Sequence, residues 1–277
     1  MKKLSLFIAL ALIITASAVL TSCASDSRQN TGTVSYRDFM DTGKRIAVEA
    51  GDIYDDVARE ILGARLVLEF TDVAEKLDNL KSGVVDAALM GEMYIHNLQD
   101  TDEFYQFDYI WLPYDVHVRK AAPVFHTAEL RDLYNEWFEV VSADGTWDDV
   151  VNRWLRGSLP AEEDIPRFEL TGENGILQVA DTGNYPPMSY IDSQGEVVGF
   201  DMDMIYRFAQ YAGMQVEISL VPYYRILQHV SIGRVDMSAC TMSISDERSE
   251  TVYFGQPSVI THTVLIIPGT GKIITPE

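Results

Sequence analysis

"LKSGVVDAALM" (residues 80–90) and "VSIGRVDMSAC" (residues 230–240) are two copies of one short pattern. Gly83 matches Gly233, Val85 matches Val235 and Asp86 matches Asp236, each at an offset of 150 residues. In both copies a helical apolar spacing stops at the glycine and a short apolar run of strand type follows. Glycine is favoured just past a helix end, where the chain turns left-handed. A buried strand after such a stop is one unit of an alternating α/β layer. Two such units at a fixed offset predict two similar α/β lobes.

The flanking segments repeat the same order. Before the first copy, "KRIAVEAG" and "RLVLEF" have strand character, and "IYDDVAREIL" and "VAEKLDNLKSG" have helical spacing. Before the second copy come a strand ("GILQVAD"), a helix closing at Gly213 ("FDMDMIYRFAQYAG"), an alternating strand ("MQVEISLV") and a further helix ("YRILQHVSIG"). Between the two sets, "ELRDLYNEWFEVVSADGTWDDVVNRWLRG" predicts helices broken at "ADG", with Leu133, Trp137 and Val140 on the packed face. "SLPAEEDIPRFELTGEN" carries two prolines and many charges, the composition of a connector.

The 277 residues are 47% hydrophobic, enough for a sizeable core. A net charge of −21 argues against nucleic-acid binding, which needs a basic face, and permits attraction of cationic solutes. The N-terminus begins "MKK" and continues as an uncharged apolar run of export-signal type. "LTSC" (20–23) resembles the lipobox of bacterial lipoproteins, which implies a lipid on Cys23. The expected organisation is a signal peptide at 1–22 and a lipidated tether at 23–35. An α/β unit at 36–115, a return strand and closing helices at 116–157, a connector at 158–172 and a second α/β unit at 173–277 follow. Cys240 is the only other cysteine, so a lipidated Cys23 leaves no disulfide framework, and Cys240 is expected to be a small buried hydrophobe.

Two further stretches bear on function. "ADTGNYPPMSYIDSQGEVVGFDMDMIYRFAQYAG" and "SIGRVDMSACTMSISDERSETVYFGQP" resemble the first lobe of the bacterial extracellular solute-binding proteins of family 3, which serve amino-acid ABC importers. The pattern holds over 178–268. "TGKRIAVEAGDIYDDVAREIL" and "LKSGVVDAALMGE" resemble the second lobe of the same family, and "SADGTWDDVVNRWLRG" resembles its closing helices. The resemblance implies a two-lobed periplasmic-binding-protein-like fold with lobe two preceding lobe one. Two arrangements accommodate that order: a circular permutant whose halves close on each other, or the front part of a tandem protein, consistent with the end at "GTGKIITPE".

The resemblance also implies a site. A free amino acid in a cleft needs donors for its carboxylate and acceptors for its ammonium, because an unpaired buried charge is costly. Arg248 matches the family arginine that grips the carboxylate with its planar fork. Thr241 and Ser243 match positions that touch the ligand's polar groups, and Ser245 is a predicted helix N-cap. Tyr185 and Tyr223 match aromatic positions that sandwich the ligand side chain, with Tyr224 able to take the place of Tyr223. The family's threonine pair is replaced by Asp52 and Ile53, and its ammonium-binding aspartate by Gly91, with Glu92 beside it. Asp52 is either a replacement acceptor for a cation or a helix N-cap.

The five histidines lack metal-ligand spacing, and no CxxC, phosphate loop or G-x-S-x-G occurs, so no cofactor and no metal are expected. The resulting expectation is a lipid-anchored binding protein of the cell envelope. Its partners are a small amino-acid-like or amine ligand, an ABC permease and the membrane, through its lipid. Two rivals stand beside it: a dehydratase on the same fold, separable by turnover of arogenate or prephenate, and a sensory or partner-binding module whose solute site has degenerated.

Overall fold

The computed structural model of the chain describes residues 34–99 and 101–276. The signal-like run, Cys23 and most of the tether lie outside the described residues. The first half runs β1 (Arg45–Glu49), α1 (Tyr54–Asp56) continuing as a π-helical turn (Val57–Ile61), β2 (Leu66–Phe70), α2 (Val73–Lys81), β3 (Ala87–Gly91), α3 (Glu92–Leu98) and β4 (Phe107–Trp111). Then come β5 (Val118–Ala122), β6 (Val124–Phe125), α4 (Ala128–Ala143) and α5 (Thr146–Trp154). The second half opens with β7 (Ile176–Asp181), a meander of β8 (Asn184–Tyr185), β9 (Ser189–Ile191) and β10 (Val197–Val198), and α6 (Phe200–Ala212). It continues with β11 (Gln215–Leu220), α7 (Tyr223–Ser231), β12 (Met237–Ser238), β13 (Met242–Ser243) and α8 (Asp246–Ser249). β14 (Tyr253–Phe254), β15 (Val259–Pro268) and β16 (Ile273–Ile274) close the series.

Two sheets of matching topology result. In one, β2, β1 and β3 are parallel and β15 is added antiparallel to β3, with β4 on its far side. In the other, β11, β7 and β12 are parallel and β6 is added antiparallel to β12, with β14 beyond. Each half therefore supplies a strand to the sheet of the other half. The register sets Leu265 against Leu89 in the first sheet and Phe125 against Met237 in the second. Alternate residues of β15 serve opposite faces: Val264 and Ile266 join one core, and Leu265 joins the other. All three are fully buried. Between the sheets, β5 and the first part of β15 pair as an antiparallel ribbon, with Arg119 opposite Thr261.

The repeat has a structural cause. Asp86 donates its backbone N–H to the Arg45 carbonyl and accepts the Arg45 N–H on its carboxylate at 2.7 Å. Asp236 does the same with Gln178, donating its N–H to the carbonyl and accepting the N–H at 2.8 Å. Each aspartate thus fixes where its strand starts against the first strand of its own sheet. Gly83 and Gly233 turn the chain out of α2 and α7 with φ of 74° and 69°.

α4 and α5 pack on the second half. Trp137 and Trp154 are buried there, and Trp154 Nε1 donates to Asp203 of α6 at 2.9 Å. The face of α4 differs from the expected one: Tyr134, Trp137, Phe138 and Val141 are buried, whereas Val140 is 53% exposed. The buried set follows i, i+3, i+4, i+7, a stripe centred one residue further round than Leu133 and Val140. The connector is held against the second half through Arg167 with Asp192 and Glu162 with Ser193.

A Gly83→Ala chain should lose about 1–2 kcal/mol of stability, the order of cost for a side chain in left-handed backbone. Gly233→Ala should lose more, because its Cβ would also stand 2.7 Å from His126 Nε2. Urea unfolding followed by tryptophan fluorescence measures both; equal losses would contradict the contact with His126.

Candidate functional site

A cleft lies between the two sheets and is lined from both halves, by Glu49, Asp52, Gly91 and Arg119 on one side and Thr182, Tyr185, Tyr223 and Thr241 on the other. It encloses about 690 Å³ of empty space, open solvent at its mouth included. Its walls are loops at the carboxyl ends of parallel strands, where open α/β sheets leave a crevice. β1 ends at Glu49, β7 at Asp181 and β12 at Ser238.

Arg119, from the crossing ribbon, is the cation of the cleft. Its Nε donates to Ser243 Oγ at 2.6 Å, Nη2 donates to Asp52 Oδ1 at 3.0 Å and also to Ser243 Oγ, and the guanidinium lies 4.4 Å from the Tyr54 ring centre. Arg119 is buried and Asp52 nearly so, with side chains 8% and 10% exposed. Asp52 also accepts the Ile53 N–H on the same oxygen. Asp52 is not the helix N-cap, and the cation it meets in this structure belongs to the protein. The residue that caps α1 is Ile53, without a side-chain bond.

Of the residues singled out in the sequence, Asp52, Tyr185, Tyr223 and Thr241 line the cleft. Thr241 turns its hydroxyl and N–H to the buried Asp201, at 2.6 and 3.2 Å. Ser243 lies behind the lining, 1% exposed, as the acceptor for Arg119. Arg248 also stands outside the lining. Its Nη1 donates to the Ser243 carbonyl at 2.8 Å and its Nη2 to the Gly51 carbonyl at 2.7 Å, across to the other half. The short helix α8, capped by the Ser245 hydroxyl, points the guanidinium at that turn. Tyr224, the alternative to Tyr223, is 44% exposed and packs on Gly51, so the pair does not exchange places. Glu92 turns away to accept from His262 and Trp111, which leaves Gly91 at the cleft with no side chain.

Six polar residues of the lining escaped the sequence reading: Glu49, Arg119, Thr182, Ser189, Asp201 and Thr261. Burial pushes the Asp201 and Asp181 carboxyls up and the Lys76 ammonium down; the Lys76 ammonium donates to the Leu89 carbonyl at 3.1 Å. Burial also pushes Glu49 up to about 7, although Lys76 pulls it the other way. Cys240 is buried, as expected, with its thiol toward Asp181 at 3.6 Å. Among the described residues no group of three or more His, Cys, Asp or Glu could hold a metal ion, and no helix is long and apolar enough to cross a membrane.

Residues 177–274 match the model of the bacterial extracellular solute-binding proteins, family 3. That stretch is similar to the solute-binding family. It contains β7 to β16 and thus one wall of the cleft. Relatives match over about a third of the chain's length. The cyclohexadienyl dehydratase of Pseudomonas aeruginosa is 34% identical over 100 residues, 36% of this chain and 37% of that protein. The probable ABC transporter arginine-binding protein ArtJ of Chlamydia trachomatis is 29% identical over 98 residues, 34% of this chain and 37% of that protein. The L-cystine-binding protein TcyJ of Escherichia coli is 28% identical over 88 residues, 32% of this chain and 33% of that protein. The chain thus spans about a third of the length of these relatives.

Removing one partner of a buried ion pair strands the other, at about 3–5 kcal/mol. Arg119→Ala should therefore lower the urea-unfolding free energy by about that amount. Arg248→Ala, which frees two carbonyls to water, should lose only about 1–2 kcal/mol. Equal losses in the two variants would contradict the assignment of Arg119 as the buried anchor.

Proposed function

We propose that this chain captures a small polar solute, amino-acid-like or cationic, between its two halves and presents it to the permease of an ABC importer. The observation that carries this reading is the cleft itself: family-3 sequence builds one wall, and the other half of the same chain builds the opposite one. Tyr185 and Tyr223 hold the solute's side chain, since aromatic faces accept apolar groups and cations alike. Asp52 and Arg119 form a fixed polar floor, and Thr241 fixes the wall through Asp201. Arg248 and Ser243 act indirectly: one ties the walls through Gly51, and the other orients Arg119. Bending at the β5–β15 ribbon closes the halves around the solute, a hinge motion.

In this reading the first half is the family's second lobe and the lobe order is circularly permuted. The exchange of β6 and β15 supports a permutant over a tandem protein, because each sheet finds its added antiparallel strand within the same chain. A lipid on Cys23 tethers the protein to the outer face of a membrane, beside its permease. The likeness to ArtJ and TcyJ supports binding. The likeness to a cyclohexadienyl dehydratase raises the alternative of turnover, and arogenate and prephenate are the substrates to test.

A thermal-shift screen of amino acids, polyamines and small peptides tests the proposal. A true ligand at 100 times its Kd should add about 2.7 kcal/mol of stability. Tyr223→Ala should remove the shift while the chain stays folded. The dehydratase substrates should be recovered unchanged. A shift that survives Tyr223→Ala would place binding outside the cleft.

A further inference from the structure

We infer that Glu49 receives an ammonium group of the captured solute, at the throat where the cleft opens into a second cavity, and that the solute is therefore an amine. The inference rests on the capture reading above and specifies its ligand. The second cavity encloses about 620 Å³, open solvent included, and shares Glu49, Thr182 and Tyr223 with the cleft. It adds Asp72 and Asn184 and has no lysine or arginine in its lining.

Glu49 is singled out by elimination among the acids. Asp52 is neutralised by Arg119 and accepts the Ile53 N–H. Asp201 accepts two hydrogen bonds from Thr241. Asp181 accepts from Gly183, Ser189 and Cys240. Asp72 caps α2 by accepting the Glu75 N–H. The Glu49 carboxylate accepts no hydrogen bond from any described residue while lining both cavities. Two buried hydroxyls stand near it: that of Thr182 at the same throat, beside the Cys240 thiol, and that of Tyr54, beside Arg119. Tyr54 is 2% exposed, and its hydroxyl lies 3.1 Å from where a Cβ on Gly91 would stand, at the cleft wall. An ammonium has three protons to donate, and a carboxylate with a hydroxyl oxygen beside it offers the acceptors it needs.

The charged and titratable groups around Glu49 come from several elements. Lys76 of α2 and Arg119 of β5 favour its ionised form, whereas Asp52 and Asp72 oppose it. The hydroxyls of Tyr54, Tyr94 and Tyr185 also feel its charge. Burial outweighs these and holds the free carboxyl near neutrality, at about 7. A bound ammonium restores the ionised form, so binding releases a proton at acid pH. Affinity for an amine should then fall as pH drops below about 7, approaching tenfold per pH unit.

The test uses the whole chain, with 1,4-diaminobutane and L-arginine as amine probes and succinate as an anionic control. Affinities are measured by calorimetry at about pH 5.5, 7 and 8.5, bracketing the carboxyl's titration. An amine probe should bind at least tenfold more weakly at the acid end. Glu49→Gln should weaken it at least tenfold at the alkaline end and flatten the pH profile. The free Glu49→Gln chain should melt no lower than the parent there, because an ionised buried carboxylate has been removed. Amine binding that survives Glu49→Gln with its pH profile intact would overturn the inference. So would preference for succinate, which leaves the capture reading standing if Tyr223→Ala abolishes it. Failure of every solute in the screen to bind would overturn both.

Discussion

Each half of the chain lacks one strand of its own sheet, and the other half supplies it. β15 carries Val264, Leu265 and Ile266 into the middle of the first sheet, and β6 carries Val124 and Phe125 into the second. Without β15, the edge of β3 and the apolar faces on both sides of it would be open to water. Burying three such side chains is worth about 1.5–3 kcal/mol each. The exchange therefore joins two lobes into one cooperative structure, and Ala121 of β5 with Val259 and Thr261 of β15 line the cleft.

That placement explains the character of the site. The ribbon of β5 and β15 is the part of the structure that belongs to both lobes, and its Arg119 is the buried cation of the cleft. Arg119 reaches Asp52 in the first half and Ser243 in the second, so one guanidinium aligns both walls. Arg248 repeats the device nearer solvent, binding the Ser243 and Gly51 carbonyls. Both arginines thus serve protein acceptors. Glu49 differs from the other acids of the lining: its carboxylate accepts no hydrogen bond from a described residue, and its counter-charges, Lys76 and Arg119, act on it through space.

Much of this was legible in the sequence. The strand and helix order, the stop at Gly213, the break at Asp144 and Gly145 and the paired Gly–x–Val–Asp patterns are local signals, written in spacing and turn chemistry. Tyr185, Tyr223, Thr241 and Asp52, singled out through a resemblance, line the cleft. Arg119 and Glu49 were not legible. Arg119 is separated from Ser243 by 124 positions, and nothing in "HVRKAA" distinguishes it from its neighbour Lys120, which faces solvent. Glu49 ends a strand like many surface glutamates; only the closure of the second half over it creates its cavity. The carbonyl partners of Arg248 are hidden from the sequence for a related reason. A motif shows which residue is present, but the partner of its guanidinium depends on the turn at Gly51, 197 positions away.

The most direct measurement of the strand exchange is fragment retention after a single cut. A protease site placed after Gly157, an exposed position where added atoms meet nothing, separates the two halves covalently without touching either sheet. Co-elution of both fragments as one native-sized species, dissociating only in denaturant, is the result expected if β6 and β15 each complete the opposite sheet. Separation of the cut chain into two independently folded pieces would contradict it, and with it a cleft built from both halves.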